Sequence, residues 1–292
     1  MTSISVALGG GGTRGLAHLG ALQVLEEEGI PVSHVSGISA GAITGARWCL
    51  DPNASILALR AIELLSSPEF RRLRIGGMML AAANEERTGL LETLRSLVRR
   101  GLHITHLARR HSVVEEGVLE ELVNLLVGEG SFSDCRIPFQ VVALDLKEAR
   151  LVTIREGNLL PAITASCALP GIFPPVEKDG MQLIDAGAVS SVPVAAARAA
   201  DPEAFVLAID PSRRLVPSEA KKSGMEVIQR VAGIARNWLT EQELASADLV
   251  VRPRVGQRLW SDMSNLTSLV EAGRVAMQEA MPRLLESLEE RI

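Results

Sequence analysis

The sequence predicts an α/β protein: a three-layer α/β/α sandwich around a mostly parallel central sheet, with a helical insertion. Two observations carry that expectation. Short runs rich in Val, Ile, Leu and Ala alternate with longer stretches whose apolar residues recur at helical spacing. Two of the strand-to-helix junctions are built from glycine, Gly9-Gly10-Gly11-Gly12-Thr13-Arg14-Gly15 and Gly37-Ile38-Ser39-Ala40-Gly41.

The first strand-like run is residues 3–8, almost continuously apolar, as in strands buried on both faces of a parallel sheet. After the first glycine turn comes a helical pattern over 16–28, which stops at Gly29-Ile30-Pro31. A second strand run at 34–38 enters the second glycine turn, and the helix pattern that follows stops at Asp51-Pro52. Residues 54–130 carry helical patterning and no convincing strand, so they read as an all-helical insertion over one side of the sheet. Strand runs at 139–146 and 150–155 precede a helical pattern over 159–168, ended by Pro170-Gly171. Runs at 182–184 and 205–209 bracket a helix pattern over 192–200, and the last strand run is 248–252. The tail, 264–292, has the pattern of a long amphipathic helix. No repeat, low-complexity tract or linker breaks the chain. The expectation is one domain over 1–292, with the insertion at about 54–130 and a C-terminal helix at about 264–292.

Composition excludes several classes of function. Hydrophobic residues make up 47% and charged residues 22%, a globular balance. No run of 18 uncharged apolar residues exists, so no spanning helix is expected. The start, Met1-Thr2-Ser3-Ile4, lacks a basic region and reads as a first strand rather than a signal peptide. Three scattered cysteines suit a reducing compartment and make neither a disulfide framework nor a metal site. A net charge of −5 argues against general nucleic-acid binding. Tyrosine is absent, which removes any phenolic acid or base. Residues 60–111 hold ten arginines and five glutamates, +5 locally, which leaves −10 for the rest of the chain. A solvated, glutamate-paired face is the plain account; docking of Arg95, Arg99, Arg100, Arg109 and Arg110 on anionic lipid is the functional one. In the same insertion, Met78-Met79-Leu80-Ala81-Ala82-Ala83 would suit an acyl chain.

The glycine turns carry the chemistry. Gly10-x-Gly12-x-x-Gly15 formally fits a dinucleotide fingerprint, but the next strand ends Ser36-Gly37-Ile38-Ser39, with no acid to hold a ribose. A phosphate loop would need Lys then Ser or Thr where Leu16-Ala17 stand. What remains is a cluster of backbone N–H groups at a helix N-terminus, suited to an oxyanion. Gly37-x-Ser39-x-Gly41 has the spacing of a nucleophile elbow; a serine that merely caps the following helix would occupy the same place, and the neighbouring glycine loop favours the nucleophile. A Ser-His-Asp triad is not expected. No histidine follows His111; His103, His106 and His111 lie in the arginine-rich insertion; His18 reads as a structural residue one turn into the first helix. The bases left are aspartates at strand ends, Asp145, Asp185 and Asp210, which composition ranks only loosely.

Four motifs occur in order: Gly10-Gly11-Gly12-Thr13-Arg14-Gly15, Gly37-Ile38-Ser39-Ala40-Gly41, Ala165-Ser166-Cys167-Ala168-Leu169-Pro170-Gly171-Ile172-Phe173-Pro174-Pro175, and Asp185-Ala186-Gly187. Together they resemble the patatin-like phospholipase family, in the bacterial branch similar to neuropathy target esterase catalytic domains, from residue 4 to about 254. The chain has Gly9 where many members have Asp or Ser, and Ala186-Gly187 where many have Gly-Gly. The resemblance implies a Ser-Asp dyad without histidine, with Ser39 as nucleophile and Asp185 as base. It implies an oxyanion hole from the N–H groups of Gly10, Gly11 and Gly12, joined by that of Ala40. Arg14, Gly15, Gly37, Gly41 and Gly187 support the site, Arg14 by anchoring the glycine loop or meeting a phosphate. The implied activity is hydrolysis of phospholipid, lysophospholipid or another acyl ester through an acyl-serine, with no cofactor and no metal. The implied setting is cytoplasmic, with peripheral contact at the inner membrane surface. An acyltransferase or thioesterase using the same dyad, and a non-catalytic lipid-binding regulator, stand as alternatives.

Overall fold

A computed structural model of the chain describes residues 3–72, 112, 114–219 and 224–291. The parallel core has the spatial order β3-β2-β1-β7-β8, formed by β1 (Ile4–Leu8), β2 (Val32–Gly37), β3 (Phe139–Asp145), β7 (Phe205–Ile209) and β8 (Leu249–Val251). β4 (Arg150–Ile154) and β6 (Met181–Ile184) both pair antiparallel with β3, and β5 (Val176–Lys178) pairs antiparallel with β6. The sandwich predicted from the alternating pattern is thus observed, with an antiparallel margin.

Both faces of the sheet are covered, and strand alternation separates them. Ile4, Val6 and Leu8 of β1, with Phe205, Leu207 and Ile209 of β7, face the larger core under α1 (Leu16–Glu27) and α2 (Ala40–Leu50). Ala7, Val206 and Ala208 face the opposite side, packed by Val194 and Ala197 of α7 (Val194–Ala200). The C-terminal helix α9 (Leu266–Glu289) lies along α1. Glycines permit that approach: a Cβ on Gly20 would overlap the Val270 carbonyl, and one on Gly273 the Ala17 carbonyl.

Within the predicted insertion, α3 (Ala54–Ser66), α4 (Pro68–Arg72) and α5 (Val118–Val127) are helical. The Met78–Ala83 stretch and Arg95, Arg99, Arg100, Arg109 and Arg110, together with His103, His106 and His111, lie outside the described residues. Two elements were not anticipated. β5 is three residues long and joins β6 through Asp179-Gly180, whose φ of 49° and 79° fit a tight hairpin turn. α8 (Gly224–Leu244) fills a region to which the apolar pattern assigned nothing. Ahead of β5 in the chain sits α6 (Leu159–Cys167). No described helix is long and apolar enough to cross a membrane.

Candidate active site

The site forms at the carboxyl ends of β1 and β2, where the connections leave the sheet, the usual ligand position in open α/β sheets. After Leu8 the chain enters the glycine loop, and its neighbours hold it at both ends. Gly9 N–H donates to Ile209 O (3.0 Å), and Gly10 N–H to Ser191 O (2.9 Å). His18, fully buried, donates from Nε2 to Gly9 O (2.8 Å). Burial holds its pKa down to about 4, so the ring is neutral. Arg14 Nε donates to Gly11 O (3.0 Å) and Nη1 to Arg258 O (3.4 Å), which makes Arg14 an anchor of the loop. Thr13 donates from its N–H and its Oγ1 to Trp260 O (2.8 and 2.9 Å). Gly12 has φ +58°, and a Cβ there would run into the Trp260 carbonyl.

One expectation changes here. The Gly10 amide is bound to Ser191 O, so it is not free to receive an oxyanion. Among the described residues, the N–H groups of Gly11, Gly12 and Ala40 have no hydrogen-bond acceptor.

Ser39 sits on the tight turn from β2 into α2, with φ 53° and ψ −120°. That backbone is costly for a side chain with a Cβ, on the order of 1–3 kcal/mol. Its amide donates to Ser166 Oγ (2.9 Å), whose hydroxyl in turn donates to Val142 O (2.7 Å). The Ser39 side chain makes no capping hydrogen bond to α2, which separates it from the helix-cap reading. Close packing explains the flanking glycines. A Cβ on Gly41 would overlap the Leu8 carbonyl, and one on Gly37 would lie 2.6 Å from Gly41 O. Gly15 brings the glycine loop against Ala40, whose Cβ would lie 2.5 Å from one added there.

Asp185 follows β6 and is 2% exposed. Its N–H donates to Ala168 O (2.9 Å), and its Oδ1 accepts from Gly187 N–H (2.7 Å). Burial pushes its pKa up to about 6, against the opposing hydrogen bonds from Gly187 and the Ser39 hydroxyl and the more distant charge of Arg236. Cys167 lies beside this pair. Burial pushes its thiol well above the usual range, so it stays protonated and is no rival nucleophile. The other two aspartates are engaged elsewhere. Asp145 Oδ1 accepts from Lys147 and Gln182 amides, and Asp210 Oδ1 from the Ser212 amide, with Arg252 Nε 3.8 Å from Oδ2. Neither His18 nor His34 bonds to Ser39 among the described contacts.

An apolar cavity of about 410 Å³ opens at Ser39. Its floor comes from Ile43, Leu57, Phe70 and Leu122, and Trp260 and Met263 border it near the glycine loop. Among the described residues no group of three or more His, Cys, Asp or Glu converges as a metal site needs. Sequence reasoning missed the partners that hold the loop and elbow: Ser166, Ser191 and the Trp260 carbonyl. Ser166 stood inside a quoted motif, but nothing local marks a serine as the acceptor for a strained turn over 100 residues away.

A family model described as Patatin-like phospholipase matches residues 6–198. An uncharacterized NTE family protein of Mycobacterium tuberculosis is 24% identical over 303 residues, covering 96% of this chain and 46% of the relative. Neuropathy target esterase of Drosophila melanogaster is 28% identical over 193 residues, covering 65% of this chain and 12% of that protein. The chain therefore spans less than half the length of these curated relatives. Among solved structures, VipD from Legionella pneumophila aligns with TM-score 0.48 and 14% identity, over 97% of this chain and 67% of that one.

Proposed function

The chain belongs to the patatin-like phospholipase family, and from that premise we propose that it is a serine acyl hydrolase acting on lipid esters of the phospholipid or lysophospholipid type. Ser39 is the nucleophile and Asp185 its general base. The Ser39 hydroxyl gives its proton to Asp185 as Oγ attacks the ester carbonyl, and the oxygen that becomes negative is received by the N–H groups of Gly11, Gly12 and Ala40. The protonated Asp185 then gives its proton to the leaving alkoxide. An acyl-Ser39 remains; water, losing its proton to Asp185, attacks it, and the fatty acid departs as Ser39 regains its proton.

The observation that carries this reading is the pairing of a strained, uncapped Ser39 with a carboxylate buried enough to have a pKa of about 6. An ordinary aspartate, near 3.9, is a poor base at neutral pH; this one is better matched while still ionised above pH 6. The apolar cavity at Ser39 supports an acyl chain as the group transferred. We place this activity on the whole chain as one domain, in a reducing, cytoplasmic setting, consistent with the free thiols of Cys49, Cys135 and Cys167.

The test is turnover of p-nitrophenyl esters of increasing chain length, with intact-protein mass spectrometry under rapid quench. The reading expects kcat/KM to rise with chain length and an acyl adduct on the Ser39 peptide. Transfer of that acyl group to glycerol or lysolipid in preference to water would make it an acyltransferase. Absence of both adduct and turnover would leave a lipid-binding regulator.

A further inference from the structure

The cavity at Ser39 follows three helices. The elbow and α2 line it from Ser39 to Arg47, α3 from Leu57 to Leu65, and α5 from Leu119 to Val127. At about 1.5 Å per residue each run covers about 12 Å. The runs share a far end. Arg47 Nη1 donates to Val127 O (3.0 Å), which joins the last turns of α2 and α5. Only Asp51-Pro52-Asn53 separate the end of α2 from the start of α3, so Leu57 belongs to that end too. The opposite end is catalytic. Leu159, at the start of α6, donates its amide to Gly130 O (3.0 Å), just past the end of α5. The other end of α6 delivers Cys167 to the cavity beside Ser39.

The two ends differ in chemistry. Between them the wall is aliphatic, with Ile43, Ala61, Leu64, Leu122 and Leu126. Beyond Ser39, the polar side chains on these three runs are Thr44, Arg60, which is exposed, and Arg47. Arg47 is half-buried and engaged. Its guanidinium satisfies a carbonyl that the end of α5 leaves without a helical donor, and sets a cation at that helix C-terminus. Pushing it aside would strip Val127 O of its donor and press apolar carbon against a charge. The aliphatic walls yield to an alkyl chain at no such cost.

We propose that Arg47, latched to Val127, is the stop at the far end of the acyl site, and that it selects esters of medium-length straight chains. The inference rests on the lipid-ester hydrolase reading above. With C–C bonds of about 1.5 Å, an extended chain advances about 1.3 Å per carbon, so the space from Ser39 to Arg47 takes about eight to ten carbons. Ser39 at the near end identifies the occupant: a chain lying in this cavity with its carbonyl at Ser39 is an acyl group in position for transfer. Each methylene buried before the stop strengthens binding about fourfold. A longer chain must leave its end in water or unlatch Arg47.

The experiment measures kcat/KM on p-nitrophenyl esters of four to sixteen carbons for the full chain, Arg47→Ala, Arg47→Leu and Ile43→Trp. Saturated fatty acids of the same lengths are titrated calorimetrically into each protein, a readout that needs no turnover. The parent should climb severalfold per added methylene, peak at about eight to ten carbons and fall at least about tenfold by sixteen. Both Arg47 variants should move the peak to about fourteen carbons or longer. Leucine, a good helix former without the guanidinium, keeps the test decisive if alanine costs too much stability. Ile43 lies about 6 Å from Ser39 along α2, so Ile43→Trp should move the peak to about four to six carbons. A parent peak that no Arg47 variant moves overturns the proposal, as does one unmoved by Ile43→Trp or a parent that climbs through sixteen carbons; hydrolysis stands in each case. A parent without ester turnover, whose fatty-acid affinity peaks at about ten carbons and shifts in the Arg47 variants, defeats the hydrolase reading while the stop stands.

Discussion

At the residue scale the proposed base, Asp185, predicts both a pH dependence of activity and a cost in stability. Because burial raises Asp185 to a pKa of about 6, kcat/KM should rise with pH and level off above about 6, reporting one ionisation of the free enzyme. A pH–rate profile on a soluble ester checks this, and a midpoint near 4 would contradict it. The sign for stability is opposite. A carboxyl whose folded pKa is raised contributes stability that is full below the unfolded value, near 3.9, and lost as pH rises through 6. At pH 8 the buried charge then costs about 3 kcal/mol. Asp185→Asn should abolish turnover yet melt higher than the parent at pH 8, with the gain fading at pH 4. His18 acts on the glycine loop. Its neutral ring donates to Gly9 O, so His18→Leu should leave that buried carbonyl unpaired and slacken the loop. We expect a roughly ten- to hundredfold fall in kcat with a lower melting temperature, both partly restored by Gln, which keeps a donor.

The tight turn that carries Ser39 was legible in the sequence because sterics write themselves locally: the turn needs Gly37 and Gly41, and their spacing shows. That Asp185, rather than Asp145 or Asp210, lies beside Ser39 was not, because tertiary packing brings the two together. The resemblance to a family supplied that ranking. The partner of the Gly10 amide was not legible for the same reason, since its acceptor, Ser191 O, lies far along the chain.

At the scale of elements, crossings decide what can move. α1 carries the glycine loop at its N-terminus and is gripped along its length by α9. Their contact is backbone on backbone at Gly20 and Gly273. Gly20→Ala or Gly273→Ala should each destabilise by about 1–3 kcal/mol or more, and the pair by less than the sum, because either methyl already forces the helices apart. Urea unfolding measures this; additive, sub-kilocalorie effects would mean the helices can separate freely. The C-terminal helix was legible from its period, and α8 was not. Thr240 and Glu243 point inward to Ser191 and Ser190 while Val227, Ile228, Val231, Trp238 and Leu239 are exposed, so most of its apolar residues do not mark a packed face. β5 escaped because it is three residues with one apolar side chain, although Asp179-Gly180 was a local hairpin signal.

At the scale of the whole molecule, the sandwich gathers three distant segments onto one edge of the sheet: the glycine loop after β1, the elbow after β2 and the aspartate after β6. The alternation of strand and helix predicted that architecture from β1 to β8, while the antiparallel margin that delivers Asp185 depends on short strands with weak patterns. The central claim is that Ser39 and Asp185 work as one catalytic pair. It is tested most directly by exposing the full chain, Ser39→Ala and Asp185→Asn to a fluorophosphonate probe. The account predicts labelling of the parent at Ser39, none in Ser39→Ala, and labelling slowed at least a hundredfold in a folded Asp185→Asn. Labelling of Asp185→Asn at the parent rate would contradict it.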